Sequence, residues 1–315
     1  MSGRVLVTGG AGFIGSHIAE AYLREGWEVV VLDDLSRGHE ANIPKKAKFI
    51  RADIRSPEAR RAVASGKFDV LNHQAAQIDV RASVDRPAFD SEINVIGLVN
   101  LLEGAGEGGV RRVVFASSGG VVYGDPEVIP TPETAPKSPV SPYGVSKIAG
   151  EYYLRALAAL RGFEGIAMRY ANVFGPRQDP KSEAGVVSIF VSRLMAGQPL
   201  TIFGDGRQTR DYVFVKDVAR ANLLASQIPV PNGDLDAPAF NIATSIQRSV
   251  LELVESVGTV MGRKPQVQFA PARAGELLRC SLDVSKAKKV LGWTPQHTFD
   301  DGLRELVDWF KKEAR

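Results

Sequence analysis

The sequence predicts an α/β fold: a doubly wound, mostly parallel sheet followed by a smaller C-terminal lobe. Three observations carry this. Short runs at 4–8, 28–32, 48–51, 70–74, 113–117 and 165–169 are apolar or β-branched almost throughout, not on alternate positions, which is the pattern of strands covered on both faces. Amphipathic helical stretches separate them, and strand-helix alternation favours parallel pairing through crossover helices. From Gly175 onward the pattern loosens into short elements between Pro/Gly turns, for example at 229–238, so the chain divides at about 1–174 and 175–315.

At 315 residues the chain is long enough to bury a substantial core, and 44% apolar with 24% charged residues is ordinary globular composition. The net charge is only +3, with basic residues interleaved with acidic ones, which argues against a nucleic-acid partner. No apolar run approaches the roughly 20 residues of a membrane-spanning helix, so no membrane partner is expected. The N-terminus leads directly into a strand, and a cytoplasmic protein is expected. The single cysteine, Cys280, has no internal disulfide partner. The segment with Pro126, Pro130, Pro132, Pro136, Pro139 and Pro142 resembles a linker by composition, but a long loop inside a compact domain is more often functional, and it reads as the rim of a site.

The first strand runs into Gly9, Gly10, Ala11, Gly12, Phe13, Ile14 and Gly15, with a helical stretch from Ser16. Glycines at a strand-to-helix turn let a pyrophosphate approach the backbone, and the helix N-terminus meets its charge. The second strand ends at Leu32, Asp33, Asp34, about 20 residues further on, where an adenosine ribose would lie. A carboxylate there accepts both ribose hydroxyls and repels a 2′-phosphate, which favours NAD over NADP. The plainer reading makes Asp33 a turn or capping residue, and Arg37 could greet a phosphate.

Tyr143 and Lys147 are four residues apart at the start of a helical stretch, so they share a face. A phenol with a pKa near 10 is a poor base at neutral pH, but an adjacent ammonium and a positive nicotinamide would both favour phenolate. Tyr143 is thus a candidate proton acceptor.

The set Thr8-Gly9-x-x-Gly12-x-x-Gly15, Ser117-Ser118 closing a strand, and Tyr143-x-x-x-Lys147 resembles the extended short-chain dehydrogenase/reductase family. Within it the chain is most similar, from Arg4 to about Phe310, to the UDP-glucose 4-epimerases. The resemblance implies a Rossmann-type cofactor domain, NAD as cofactor, a UDP-sugar substrate and a homodimer pairing helices near 94–104 and 143–161. It also implies a catalytic set of Ser118, Tyr143 and Lys147, although Ser117 is adjacent. Asp53 and Ile54 would flank adenine, Gln74, Ala75 and Asn94 would line the cofactor channel, and Tyr170 would lie near the nicotinamide. Asn94 could equally be a buried hydrogen-bond bracket, and His73 a core residue. No spacing suggests a metal site.

Related dehydratases carry an acidic pair after the catalytic hydroxyl, and decarboxylating relatives a glutamate; here the residues are Gly119 and Gly120, which suits epimerisation at C4. In the C-terminal lobe the resemblance assigns Arg210 and Arg273 to the diphosphate, Asn172 to phosphate or sugar, Val187, Thr201 and Phe203 to uracil and ribose, and Glu276 to ribose hydroxyls. Cys280 falls where the family sets room beside the hexose C2 substituent, so its small side chain implies that an N-acetyl group fits. A UDP-glucuronate or other nucleotide-sugar epimerase is the nearest alternative, and a non-catalytic dinucleotide-sensing protein a more distant one.

Overall fold

The computed structural model describes residues 3–181, 185–272 and 277–313. In the first half, β1 (Arg4–Thr8), β2 (Glu28–Asp33), β3 (Lys48–Arg51), β4 (Val70–His73), β5 (Arg112–Ser118) and β6 (Glu164–Tyr170) alternate with helices α1 (Phe13–Arg24), α2 (Pro57–Ser65), α3 (Val80–Asp85), α4 (Pro87–Ser91), α5 (Gly97–Gly108) and α6 (Pro142–Arg161). The second half contains β7 (Asn172–Phe174), α7 (Val186–Met195), β8 (Leu200–Phe203), β9 (Thr209–Arg210), β10 (Tyr212–Phe214), α8 (Val215–Ala225), β11 (Ala239–Ile242), β12 (Arg248–Ser249), α9 (Val250–Met261), β13 (Val267–Ala270) and α10 (Phe299–Glu313).

The central sheet has seven parallel strands in the order β11-β6-β5-β4-β1-β2-β3. The order reverses beside β1, which opens a crevice at the carboxyl ends of β1 and β4, the usual place for a ligand in such sheets. Uninterrupted apolarity in the strands has a direct cause. Val5 and Val7 of β1, with Val29 and Val31 of β2, bury into one core cluster with α1. Leu6, Val30 and Leu32 from the same strands face the opposite cluster with α2, α5 and α6. Because successive side chains point to opposite faces, a strand covered on both sides must be apolar at every position.

The six strand runs expected from the sequence are all present, with ends moved by a residue or so; β5, for instance, begins at Arg112 and β6 ends at Tyr170. Parts of the chain beyond residue 174 return to this unit: β11 pairs with β6, α8 packs against α1, and Ala287, Leu291 and Trp293 join the first core cluster. The remaining C-terminal elements gather around a third cluster that includes Phe174, Phe190, Val191, Ile202, Leu253 and Leu306. Among the described residues, no helix is long and apolar enough to cross a membrane.

Candidate active site

The glycine turn is dictated by backbone contacts. Gly9 has φ +68°, and a Cβ there would lie 2.6 Å from Ala75 N, so only glycine permits β1 to turn this close to the end of β4. At Gly15 a Cβ would stand 2.2 Å from Gly9 O, so the start of α1 rests directly on the turn. Gly12 is the N-cap of α1, without a side-chain cap and with no acid in the first turn, so the helix end presents its backbone amides to an anion. Phe13, Ile14 and Gly15 form this first turn.

Asp33 closes β2 and is buried. Its Oδ2 accepts from Ala11 N at 3.0 Å and its Oδ1 from Leu35 N at 2.9 Å. A carboxylate has about four lone-pair sites, so capacity remains for two ribose hydroxyls. Burial raises its pKa, opposed by the two backbone donors. Asp33 is therefore both the turn-forming residue and a suitable ribose acceptor. The uncapped helix end and this carboxylate together fit a dinucleotide without a 2′-phosphate.

Asp53 is held below the usual carboxylate range by the Arg55 guanidinium, and Ile54 is buried beneath it with its carbonyl accepting from Asn100 at 2.8 Å. Gln74 and Tyr170 are neighbours: the Tyr170 hydroxyl accepts from Asn222 Nδ2 at 2.7 Å and donates to Gln74 Oε1 at 3.3 Å. Asn222, on α8, was not foreseen. Ala75 N donates to Thr8 Oγ1 across the crevice floor, and the same hydroxyl contacts His73 Nδ1 at 2.7 Å. Burial, then the nearby Lys147 charge, lowers the His73 pKa to about 3, so it is a neutral core residue. Asn94 is the bracket described above: Oδ1 accepts from Gln77 N, and Nδ2 donates to Gln77 O and Asp90 Oδ1, which fixes the loop after β4.

Helix α6 starts from Ser141, whose hydroxyl caps Gly144 N, with Pro142 in the first turn. Tyr143 and Lys147 share one face, with the Lys147 ammonium 5.6 Å from the Tyr143 ring centroid and donating to Ala116 O at 2.9 Å. Ser118, at the end of β5, lies near enough to the phenol to favour its ionised form. Ser117 points to the other side and donates to the buried Glu151 carboxylate, so the neighbouring serines divide between the Tyr143 side and the buried core. Glu151 in turn holds the fully buried Arg169, which also reaches Asp236 at 2.9 Å and the Tyr123 hydroxyl at 3.0 Å.

One expectation changes. Burial, and next the Asp90 charge, raise the Tyr143 phenol well above its ordinary value, opposed by the Ser118 hydroxyl. The Lys147 ammonium lies over the ring face and is hydrogen-bonded to the Ala116 carbonyl. Its own pKa falls to about 8 through burial, partly restored by Asp90.

After Ser118, Gly119 leaves no room for a side chain, since a Cβ would be 2.3 Å from Leu282 Cδ1; Gly120 is more open, its Cβ position 3.9 Å from Ser118 Oγ. The next carboxylate along the chain is Asp125.

The C-terminal candidates are spread over several elements. Arg210 ends β9 and donates to Leu277 O at 2.8 Å. Asn172 opens β7, which pairs with β10. Val187 is buried in α7, within the third core cluster. Thr201 and Phe203 lie on β8; the Thr201 hydroxyl accepts from Arg193 and Gln268, each at 2.8 Å. Cys280 is buried, and its thiol is pushed up to about 11 by burial, opposed by Arg210. Arg273 and Glu276 lie outside the described residues. Sequence reasoning also missed Arg177, which donates to Ser16 Oγ at 3.1 Å and pairs with Glu20, locking the segment after β7 onto α1. Its φ of +69°, unusual for a non-glycine residue, had no sequence signal beyond the preceding Gly175-Pro176.

A glycine turn abutting an uncapped helix, a buried carboxylate closing the next strand, and a serine-tyrosine-lysine set define an NAD-dependent enzyme of the short-chain dehydrogenase type. The profile of the NAD dependent epimerase/dehydratase family matches residues 5–243, and the chain belongs to that family. The UDP-glucose 4-epimerase of Mycolicibacterium smegmatis is 44% identical over 317 residues, covering 99% of this chain and 100% of the relative. Among solved structures, the UDP-glucose 4-epimerase of Thermotoga maritima with UDP-glucose superposes with a TM-score of 0.94 at 41% identity, covering 99% of this chain and 100% of the other. That of Thermus thermophilus in complex with NAD superposes with a TM-score of 0.90 at 43% identity, covering 98% and 99%.

Proposed function

We propose that the protein is an NAD-dependent UDP-hexose 4-epimerase that interconverts UDP-glucose and UDP-galactose and also accepts the N-acetylhexosamine pair. The observation that carries this is the convergence of Ser118, Tyr143 and Lys147 at the mouth of the dinucleotide crevice, followed by glycines in place of an acid. Expelling a hydroxyl would need a proton donor at that point, and the chain offers none at Gly119 or Gly120.

Gly9, Gly12, Phe13, Ile14 and Gly15 hold the pyrophosphate of NAD, Asp33 its ribose, and Asp53, Ile54, Gln74, Ala75, Asn94 and Tyr170 form the walls around it. NAD supplies a hydride acceptor that can return the hydride, so there is no net oxidation. Tyr143 takes the proton of the sugar 4-hydroxyl and later gives it back, Ser118 holds the same hydroxyl in line, and Lys147 stabilises the arrangement from below. Binding restrained at the nucleotide end by Arg210, Arg273, Asn172, Val187, Thr201, Phe203 and Glu276 leaves the hexose ring free to turn, so hydrogen can return to either face. In this reading residues 1–174, with β11 and α8, form the cofactor unit, and the rest of 175–315 forms the sugar-nucleotide lobe.

The apolar side chains exposed around α5 and α6, among them Ile96, Val145, Tyr152 and Leu160, support a homodimer through these helices. A cytoplasmic location suits an enzyme that draws on NAD and nucleotide sugars. The test is Tyr143→Phe assayed by proton NMR with UDP-glucose and UDP-N-acetylglucosamine. Loss of the proton acceptor should slow interconversion by about 10²-fold or more while NAD stays bound, whereas parental turnover would remove the proposal.

A further inference from the structure

Asp90 is fully buried on α4, and among the described residues the hydrogen-bond donors to its carboxylate are neutral: Gln77 Nε2 at 2.9 Å and Asn94 Nδ2 at 3.0 Å on Oδ1, and Ser146 Oγ at 2.6 Å on Oδ2. A buried carboxylate without a contacting cation is costly and calls for compensation by a charge nearby. Ser146 points to where that charge is. It lies on α6 immediately before Lys147 and three residues after Tyr143, so Asp90 is tied to the helix that carries both. Lys147 is the mirror image: a buried ammonium that donates to a neutral carbonyl, Ala116 O, at 2.9 Å. Asp90 on α4 and Lys147 on α6 form no ion pair; Ser146 ties the carboxylate to the helix that carries the ammonium, and the Asp90 charge acts on both Lys147 and the Tyr143 phenol.

We propose that Asp90 is a positioning residue for this pair: a fixed buried charge that keeps Lys147 an ammonium in the closed site and holds the proton on Tyr143 while no other positive charge is present. The inference rests on the reading of Tyr143 and Lys147 as the catalytic pair. The direction of both titrations agrees with it, since Asp90 raises the phenol and raises the ammonium against burial. Other groups around the pair do not supply that charge. His73 on β4 is neutral down to about pH 3. Ser118 on β5 and Ser83 on α3, whose hydroxyl accepts from Tyr143 N, are uncharged. Asp79 caps α3 through Arg81 N and Ala82 N, Arg86 lies over Phe89, Glu92 pairs with Arg55, and Glu151, further along α6, is matched by Arg169. Asp85 and Arg81 are exposed on α3.

The test is Asp90→Asn. An asparagine can accept from Gln77 and Asn94 through its oxygen and donate to Ser146, so it removes the charge and keeps the shape. Asp90→Ser removes the charge with a different side chain, so one natively melting neutral variant suffices. Both limbs of the pH profile of kcat should move to lower pH by about one unit, because phenol and ammonium each lose their proton more easily. Independently of catalysis, the tyrosinate difference spectrum of the cofactor-stripped protein, corrected with a Tyr143→Phe background, should show Tyr143 ionising at lower pH in the variant. A folded neutral variant whose profile and tyrosinate titration superpose on the parent's overturns the inference, even if its rate is lower. If Tyr143→Phe is fully active, the catalytic reading fails, whereas the tyrosinate titration still reports whether Asp90 governs the phenol.

Discussion

Acidifying the solution from about pH 7.5 to about pH 5.5 should destabilise the fold by about 3 kcal/mol through two histidines alone. His17, on α1, contacts Pro176 O through Nε2 at 3.0 Å, and burial, then the Arg177 charge, lowers its pKa to about 4. His73 is buried between Thr8 and the face of Phe115, with its pKa at about 3. In the unfolded chain both titrate near 6.5. Both folded values lie below the unfolded one, so the unfolded state takes up protons first as the pH falls. Stability is then fully present above pH 6.5 and declines towards the folded pKa values. At about pH 5.5 each histidine contributes RT ln(1 + 10), about 1.4 kcal/mol, and neither is yet protonated in the native state. Buried carboxyls raised by desolvation, Asp33, Glu133 and Asp211, act in the opposite sense nearer their own range. The histidine term is therefore isolated by substitution. Urea midpoints across this pH range for the parent, His17→Asn and His73→Asn should show each variant losing about half the parental pH dependence. Equal pH dependence in all three would refute the reasoning.

Gly15→Ala should destabilise the protein by about 1–3 kcal/mol and weaken NAD binding, because a Cβ at 2.2 Å from Gly9 O forces α1 off the turn; thermal melting and titration with NAD read both. Glu151→Ala leaves the fully buried Arg169 with Asp236 as its remaining carboxylate partner and should cost about 3 kcal/mol in chemical denaturation, the low end for breaking a buried pair. Cys280→Tyr should lower N-acetylhexosamine turnover at least about tenfold relative to UDP-glucose turnover; an equal loss on both substrates would show that position 280 does not set room beside C2.

Much of the cofactor crevice was legible because its signals are local. The glycine turn, Asp33 at the end of the next strand, and the i, i+4 spacing of Tyr143 and Lys147 each lie within one strand, turn or helix, where spacing alone fixes which side chains share a face. The choice between Ser117 and Ser118 shows where that local logic ends. Strand alternation says only that the two face opposite ways; what waits on each side, Glu151 or the Tyr143 phenol, comes from other elements.

The sequence by itself determined the strand-helix alternation, the dinucleotide turn and the identity of the tyrosine and lysine, because a periodic apolar pattern and a steric requirement for glycine act over a few neighbouring residues. Only the tertiary structure decided that β11 and α8 complete the first sheet layer and that Asn222 braces Gln74 and Tyr170. It also decided that Asp90, 56 residues from Ser146, sits beside α6. Buried charges and polar brackets of this kind leave no periodic trace: their partners are chosen by the packing of distant elements, and the low dielectric that makes them matter exists only once the chain has folded.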